Sequence, residues 1–258
     1  MKASLKNDFW IVVLIIAVSV PFILLHHARP LTTAVIFYIL PTLYLFWRKP
    51  KPVRELLAGA LLLGVGFAFP FDVIQTASGG WLTPIDQLVF PYSFFGFLPL
   101  DEVLWFVIQT LFVLTFYVHF FEPRKADRVG RRFIYFFLAT LSAVVLISFF
   151  AAAGREYVAI PYAYLVAGSP MLLAVGYVMW RYPRLIPKFV KTAAFFFALF
   201  LVYELIALHL GQWEFRGEYI GWVQLWGARF PLEEFFYWMI VYTLFELSIY
   251  EGAIDDGR

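Results

Sequence analysis

The stretches Leu98-Pro99-Leu100-Asp101-Glu102 and Phe230-Pro231-Leu232-Glu233-Glu234 stand about 132 positions apart, and the same offset relates Phe71-Asp72 to Tyr203-Glu204, Gly79 to Gly211 and Trp81 to Trp213. Trp105-Phe106 matches Tyr237-Trp238 as a pair of rings. Further upstream, Trp47-Arg48 and Pro50 match Trp180-Arg181 and Pro183 with one residue of slippage. The simplest explanation is one unit written twice, which predicts two repeats, residues 1–125 and 126–258.

Between these acidic stretches the chain is greasy. Of its 258 residues 62% are hydrophobic, 21% aromatic and only 15% charged, which lies outside the range of water-soluble domains. The long apolar stretches each approach or exceed the roughly 20 residues that a helix needs to cross a bilayer, and the period-two alternation of a membrane barrel is absent. The expected fold is therefore an all-α integral membrane protein of about eight transmembrane helices in two tandem four-helix repeats of the same orientation. The spans are expected near 8–26, 31–47, 53–76, 97–121, 131–153, 157–180, 188–211 and 231–250. Prolines within them, such as Pro21, Pro41, Pro70 and Pro170, predict kinks, above all in the third span. Lys2 and Lys6 precede the first span as in a signal peptide, but no small-x-small cleavage site comes before His26-His27, so that span is expected to be retained. The chain has no cysteine, which excludes disulfides, thiolate nucleophiles and cysteine-held metal centres, and a net charge of +2 implies no nucleic-acid partner.

Cytoplasmic loops are enriched in Lys and Arg. With a cytoplasmic N-terminus, Lys2, Lys6, Arg48, Lys49, Lys51, Arg54, Arg124, Lys125, Arg128, Arg131, Arg132, Arg181, Arg184, Lys188, Lys191 and Arg258 fall on that side, and only Arg29, Arg155, Arg216 and Arg229 on the other. Both termini are then cytoplasmic, in what is expected to be the cytoplasmic membrane of a prokaryote. The halves share one orientation about an axis along the membrane normal, and the repeated acids gather toward the outer leaflet.

Pro99 and Pro231 suit the first turn of a helix, which places Asp101-Glu102 and Glu233-Glu234 at the start of spans four and eight. Acids in a first turn are favoured by the helix dipole, so a single such stretch reads as a cap. Placement at membrane depth, adjacency, repetition, and Asp72 or Glu204 at the same level of the preceding span point instead to function. Neighbouring helix positions diverge by about 100°, so only one acid of each pair faces the bundle. Asp72 is expected to approach Asp101 or Glu102, and Glu204 to approach Glu233 or Glu234; two carboxyls in contact would share a proton.

Around these acids stand Trp81, Phe94, Phe95, Phe97, Trp105 and Phe106 in the first half, with Trp213, Trp222, Trp226, Phe230, Phe235, Phe236, Tyr237 and Trp238 in the second. An interfacial aromatic belt accounts for many of them. Beside an acid, ring faces also suit a carbocation, which each stabilises by roughly 2 kcal/mol where water is excluded, without offering a nucleophile.

At these residues the chain resembles the flavin-independent lycopene cyclases of bacteria, archaea and fungi, in their fused two-repeat form. Pro231-Leu232-Glu233-Glu234-Phe235-Phe236 is similar to that family's Pro-x-Glu-Glu motif with its following rings. The first half departs from it with Asp101 in the leading acid position and Val103-Leu104 where rings are common. The resemblance implies cyclisation of the linear ends of a C40 polyene without redox change or cofactor. An acid protonates C2, the C1 cation is captured by the C5–C6 alkene, and a base removes a proton, from C6 for a β-ring or from C4 for an ε-ring. A β-cyclase is the leading expectation. Glu234 and Glu102 are implied as the leading proton-handling groups, with Glu233 and Asp101 as partners or bases, and Glu204 and Asp72 as supporting carboxyls. Trp81, Trp213, Trp105, Phe106, Phe235, Phe236 and Trp238 are the implied substrate-binding rings. The implied partners are lycopene or a related linear carotenoid, membrane lipid, and other carotenoid enzymes. One site per half, and one shared site used twice, both fit two similar halves.

No nucleotide-binding fingerprint opens a βαβ unit, since Gly64-Val65-Gly66 lies inside an apolar span. No acid follows Asp101-Glu102 to hold magnesium on a diphosphate, and His26, His27, His119 and His209 share no metal-ligand spacing. Competing readings are hydration of the same polyene end and a proton-coupled transporter. A retinal receptor is weaker, because Lys188 and Lys191 lie at a cytoplasmic end rather than at mid-span.

Overall fold

The computed structural model describes residues 3–121 and 130–254. Arg124, Lys125, Arg128, Lys2, Arg258 and the expected repeat boundary at 125/126 lie outside the described residues. Seven helices are long and apolar enough to cross a membrane. They are α1 (Ala3–Leu25), α2 (Pro30–Arg48), α3 (Val53–Ser78), α4 (Leu100–Phe120), α5 (Phe133–Ala153), α6 (Ala163–Arg181) and α7 (Pro183–His209). A further continuous helical run, α8 (232–254), occupies the place of the expected eighth span and carries Glu233, Glu234, Glu246 and Glu251.

The surroundings of α5 require lipid. Its most apolar window has a mean hydropathy of 2.4, yet 0% of that window is buried inside the protein. A helix apolar all round that packs on protein along only one side turns the rest of its surface to hydrocarbon, so this is an all-α membrane protein.

Bends occur where proline and glycine allow them. In α3, wider π turns run over Leu62–Phe67, just ahead of Pro70, whose missing N–H cannot bond back into the preceding turn. Gly64 has a packing role within those turns: a Cβ there would meet the Val107 backbone at 2.7 Å, so α3 and α4 approach closely only because that side chain is missing. The sixth span begins at Ala163 rather than near 157, because Gly154, the short 3-10 turn Arg155–Tyr157 and Pro161 hold the chain out of a regular helix.

Two short hairpins precede the acidic helices. Strands β1 (Ser93–Phe94) and β2 (Leu98–Pro99) lead into α4, while β3 (Trp222–Leu225) and β4 (Ala228–Pro231) lead into α8. Each turn contains an aromatic-glycine pair in the left-handed region, Phe95-Gly96 and Trp226-Gly227. Pro99 and Pro231 therefore end strands just outside the first helical turn, where an extended φ/ψ pair costs nothing, rather than opening the helix.

At the end of the bundle away from the hairpins, α1 is tied by one buried acid. Asp8 accepts hydrogen bonds from Arg48 Nε at 2.6 Å and Tyr44 at 3.0 Å, and lies 3.0 Å from His119 Nε2. Lys51 Nζ reaches the other ring nitrogen of His119 at 2.9 Å, so α1, α2 and α4 share one polar knot.

Candidate active site

The repeated acids sit where α3, α4, α6, α7 and α8 converge beneath the hairpins. In the first half Trp81 Nε1 donates to Asp72 Oδ1 at 2.9 Å and to Glu102 Oε2 at 3.1 Å, bridging the two carboxyls. Thr76 reaches both at 3.3 Å, and Thr83 donates to the other Glu102 oxygen at 2.7 Å. The two carboxyls therefore lie side by side, held by the same two donors, Trp81 and Thr76. In the second half Trp213 Nε1 donates to Glu204 Oε1 at 3.1 Å, with the same nine-residue separation as Trp81 and Asp72. Glu204 lies within electrostatic reach of Glu234, and Tyr164 donates to Glu234 from α6.

The leading acids bond to backbone instead. Asp101 takes the backbone N–H groups of Val89 and Phe90 at 2.6 and 3.0 Å, one on each oxygen, and Glu233 takes that of Ile220 at 2.5 Å. Both therefore anchor the loop ahead of their helix, as the 100° divergence between adjacent positions requires.

One pocket holds the trailing acids of both halves. It has a volume of about 580 Å³ including its open mouth, and Glu102, Glu234, Trp81, Trp105, Trp213 and Trp238 are among its walls. Phe106, Phe215, Thr83, Asp101 and Pro30 complete the lining. Trp105 and Trp238 meet at 4.8 Å between centroids, and Phe106 meets Trp238 edge-on at 5.5 Å. Trp105 Nε1 donates to Tyr203, which in turn donates to the Pro30 carbonyl at the start of α2, so the ring's polar edge is satisfied.

Phe235 and Phe236 do not reach this pocket. Phe235 packs edge-on against Phe197, and Phe236 is 42% exposed, because successive residues after Glu234 rotate away from the site. Three residues that touch the carboxyls were not among the expected ones. Thr76 and Thr83 have no polar equivalent at the repeat offset, and Tyr164 stands on a helix where no acid drew notice.

The loops of the two halves interlock over the site. Arg216 N–H donates to Gly79 O at 3.0 Å, and the Tyr219 hydroxyl donates within reach of the Gly79 and Gly80 carbonyls, each at 3.0 Å. Burial holds the Tyr219 phenol above its ordinary range, so it remains a donor. Arg155 binds the carbonyls of Thr76 and Ala77 at 2.9 Å and closes the end of α3.

No protein-family model, no curated protein and no solved structure matches this chain.

Proposed function

We propose that this chain is a lycopene cyclase, a non-redox isomerase that turns the linear ψ-end of lycopene into a ring within the membrane. The observation that carries this reading is the meeting of Glu102 and Glu234 in one pocket walled by four tryptophans. Two separately positioned carboxyls supply a proton donor and a proton acceptor, and the ring faces between them suit a cation in transit.

In this reading Glu234, with Tyr164 as its donor partner, delivers the proton to C2 of the terminal alkene. The C1 cation closes onto C5–C6 beside Trp105 and Trp238. Glu102, surrounded by the donors Thr76, Trp81 and Thr83, accepts the proton that leaves. Proton gained and proton lost balance, so no reducing equivalent is consumed. Asp101 and Glu233 keep the loops in place rather than acting as bases, a role supported by their backbone partners. A β-ring is the expected product.

The equivalent placement of Trp81 on Asp72 and Trp213 on Glu204 supports two repeats of one unit; eight spans, with both termini on the cytoplasmic side of a prokaryotic membrane as the Lys and Arg distribution suggests, complete the proposal. A shared pocket also favours one site used twice, with lycopene turned round between events, over one site per half.

The test is expression in lycopene-accumulating bacteria, followed by liquid chromatography with mass detection. A new pigment of unchanged mass that co-elutes with β-carotene is the expected result. Addition of one water would make the chain a hydratase instead, and unaltered lycopene would overturn the reading.

A further inference from the structure

Beneath the pocket, α8 carries a second acid that the repeat does not contain. Glu246 is fully buried, three turns further along the helix than Glu234, and the position at the repeat offset is Leu114. Among the described residues no cation bonds to it. Gln109 Nε2 donates to its Oε2 at 3.3 Å, Thr110 lies within reach of the carboxyl as well as of the Gln109 oxygen at 3.4 Å, and Oε1 has no partner of ordinary geometry. A carboxyl so placed is costly in a membrane protein, and calls for a reason.

Its neighbours supply one. Tyr242, one turn back on the same face of α8, is fully buried, its hydroxyl makes no hydrogen bond of ordinary geometry although Thr110 lies near it, and it is close enough to both Glu246 and Asp72 to feel their charges. The second oxygen of Asp72 is likewise buried and without a partner. Buried polar atoms are almost always satisfied, and a row of three orphans marks a place for internal water. From α2, Tyr38 faces the same region with a partnerless hydroxyl.

The row continues away from the pocket. One turn beyond Glu246, Tyr250 donates to Glu55 of α3 at 3.1 Å, and Tyr117 of α4 donates to the half-buried Glu251 at 2.5 Å. Oxygen-bearing side chains thus line roughly 13 Å of α8 between Tyr242 and Glu251, and Asp72 of α3 lies between that row and the pocket acids.

We propose that Glu246, Tyr242 and Asp72, bridged by internal water, form a proton route that connects the pocket acids with the opposite face of the bundle. After each cyclisation the acceptor carboxyl holds a proton and the donor lacks one, and the route restores both groups from below. Glu246 touches no reacting atom. It is a relay group whose effect lies in resetting the site.

The first test does not depend on the cyclase reading. In wild-type protein reconstituted into phosphatidylcholine bilayers, infrared carboxyl bands assigned with Asp72→Asn and Glu246→Gln are followed after transfer to deuterated water. Exchange at Asp72 is expected to slow by about a hundredfold in Glu246→Gln and in Tyr242→Phe, the lower end of what a positioned proton-transfer group contributes. Equal exchange rates in wild type and both variants overturn the route. The second test rests on the cyclase reading. With lycopene in the same bilayers, Glu246→Gln is expected to complete a first turnover at the wild-type rate but to slow by about a hundredfold in later ones, with Glu246→Asp recovering most of the loss. An equal loss in first and later turnovers makes Glu246 a packing group and overturns the proposal. If wild-type protein leaves lycopene unchanged, the cyclase reading falls, and the exchange rates alone decide the route.

Discussion

Leu82 and Glu214 hydrogen-bond to one another in both directions, Leu82 N–H to Glu214 O at 2.9 Å and Glu214 N–H to Leu82 O at 3.1 Å. They are also separated by the repeat offset of about 132 positions. On the two-repeat reading proposed above, a position that pairs with its own counterpart is what a two-fold contact within a single chain would give. Phe106 and Trp238, related by the same offset, also meet face to edge inside the pocket.

The close loop contact beside that bridge predicts a stability effect. Gly79 has φ +76°, and a Cβ on Gly217 would meet Gly79 and Ser78 backbone atoms at 3.1 Å. Gly79→Ala should cost about 1 kcal/mol through its left-handed backbone, and Gly217→Val about 1–3 kcal/mol through overpacking. Both are read as a lowered unfolding temperature in detergent.

The shared pocket predicts how single variants fail. Glu234→Gln and Glu102→Gln should each reduce cyclisation by about a hundredfold, and at matched conversion each should leave the wild-type ratio of monocyclic to bicyclic pigment. Accumulation of the monocyclic pigment alone would favour one site per half. Turnover by the double variant at the wild-type rate would remove both residues from the chemistry.

Tyr164→Phe tests the partner that the repeat does not reveal. With the hydroxyl gone, Glu234 Oε2 loses its donor, a change worth about 1–3 kcal/mol for a buried acceptor. Turnover is expected to fall by about tenfold or more, with thermal stability changing less than in Asp101→Ala, where two backbone N–H groups are left unpaired. Asp101→Ala should in turn change stability more than the pH profile.

Lys51 predicts a pH dependence at the far end of the bundle. Burial, then the neighbouring Lys49 charge, push its ammonium from an ordinary 10.5 down to about 8. Below about 8 the folded and unfolded chains are both charged there and the fold carries the whole cost. As pH rises from about 8 toward 10.5, the folded chain sheds the proton first and the cost disappears. Unfolding temperature should rise across that window through this group, and Lys51→Met should flatten the rise.

Hydropathy made the spans legible because lipid demands long apolar runs of any helix, and seven of the eight expected positions hold helices that are long and apolar enough. Repetition made Asp72, Glu102, Glu204 and Glu234 legible, and it hid what is not repeated. Thr83 faces Phe215 across the offset and Glu246 faces Leu114, so a search for matching pairs passes over both. The hairpins escaped notice because strands of two to four residues carry no periodicity, and their aromatic residues resemble an interfacial belt. Phe235 and Phe236 were misplaced by adjacency: on a helix, the residues next to a site residue are those that turn away from it.

The unequal partners of the two pocket acids, three donors on Glu102 against one on Glu234, have an evolutionary consequence. On the duplication proposed above, the ancestor was a symmetric dimer in which both carboxyls had identical surroundings, and any substitution changed both at once. Fusion into one polypeptide releases that constraint. Each copy then drifts separately, so division of labour between the two sides of a single cavity becomes available to selection, while the Leu82–Glu214 pairing preserves the record of the lost symmetry.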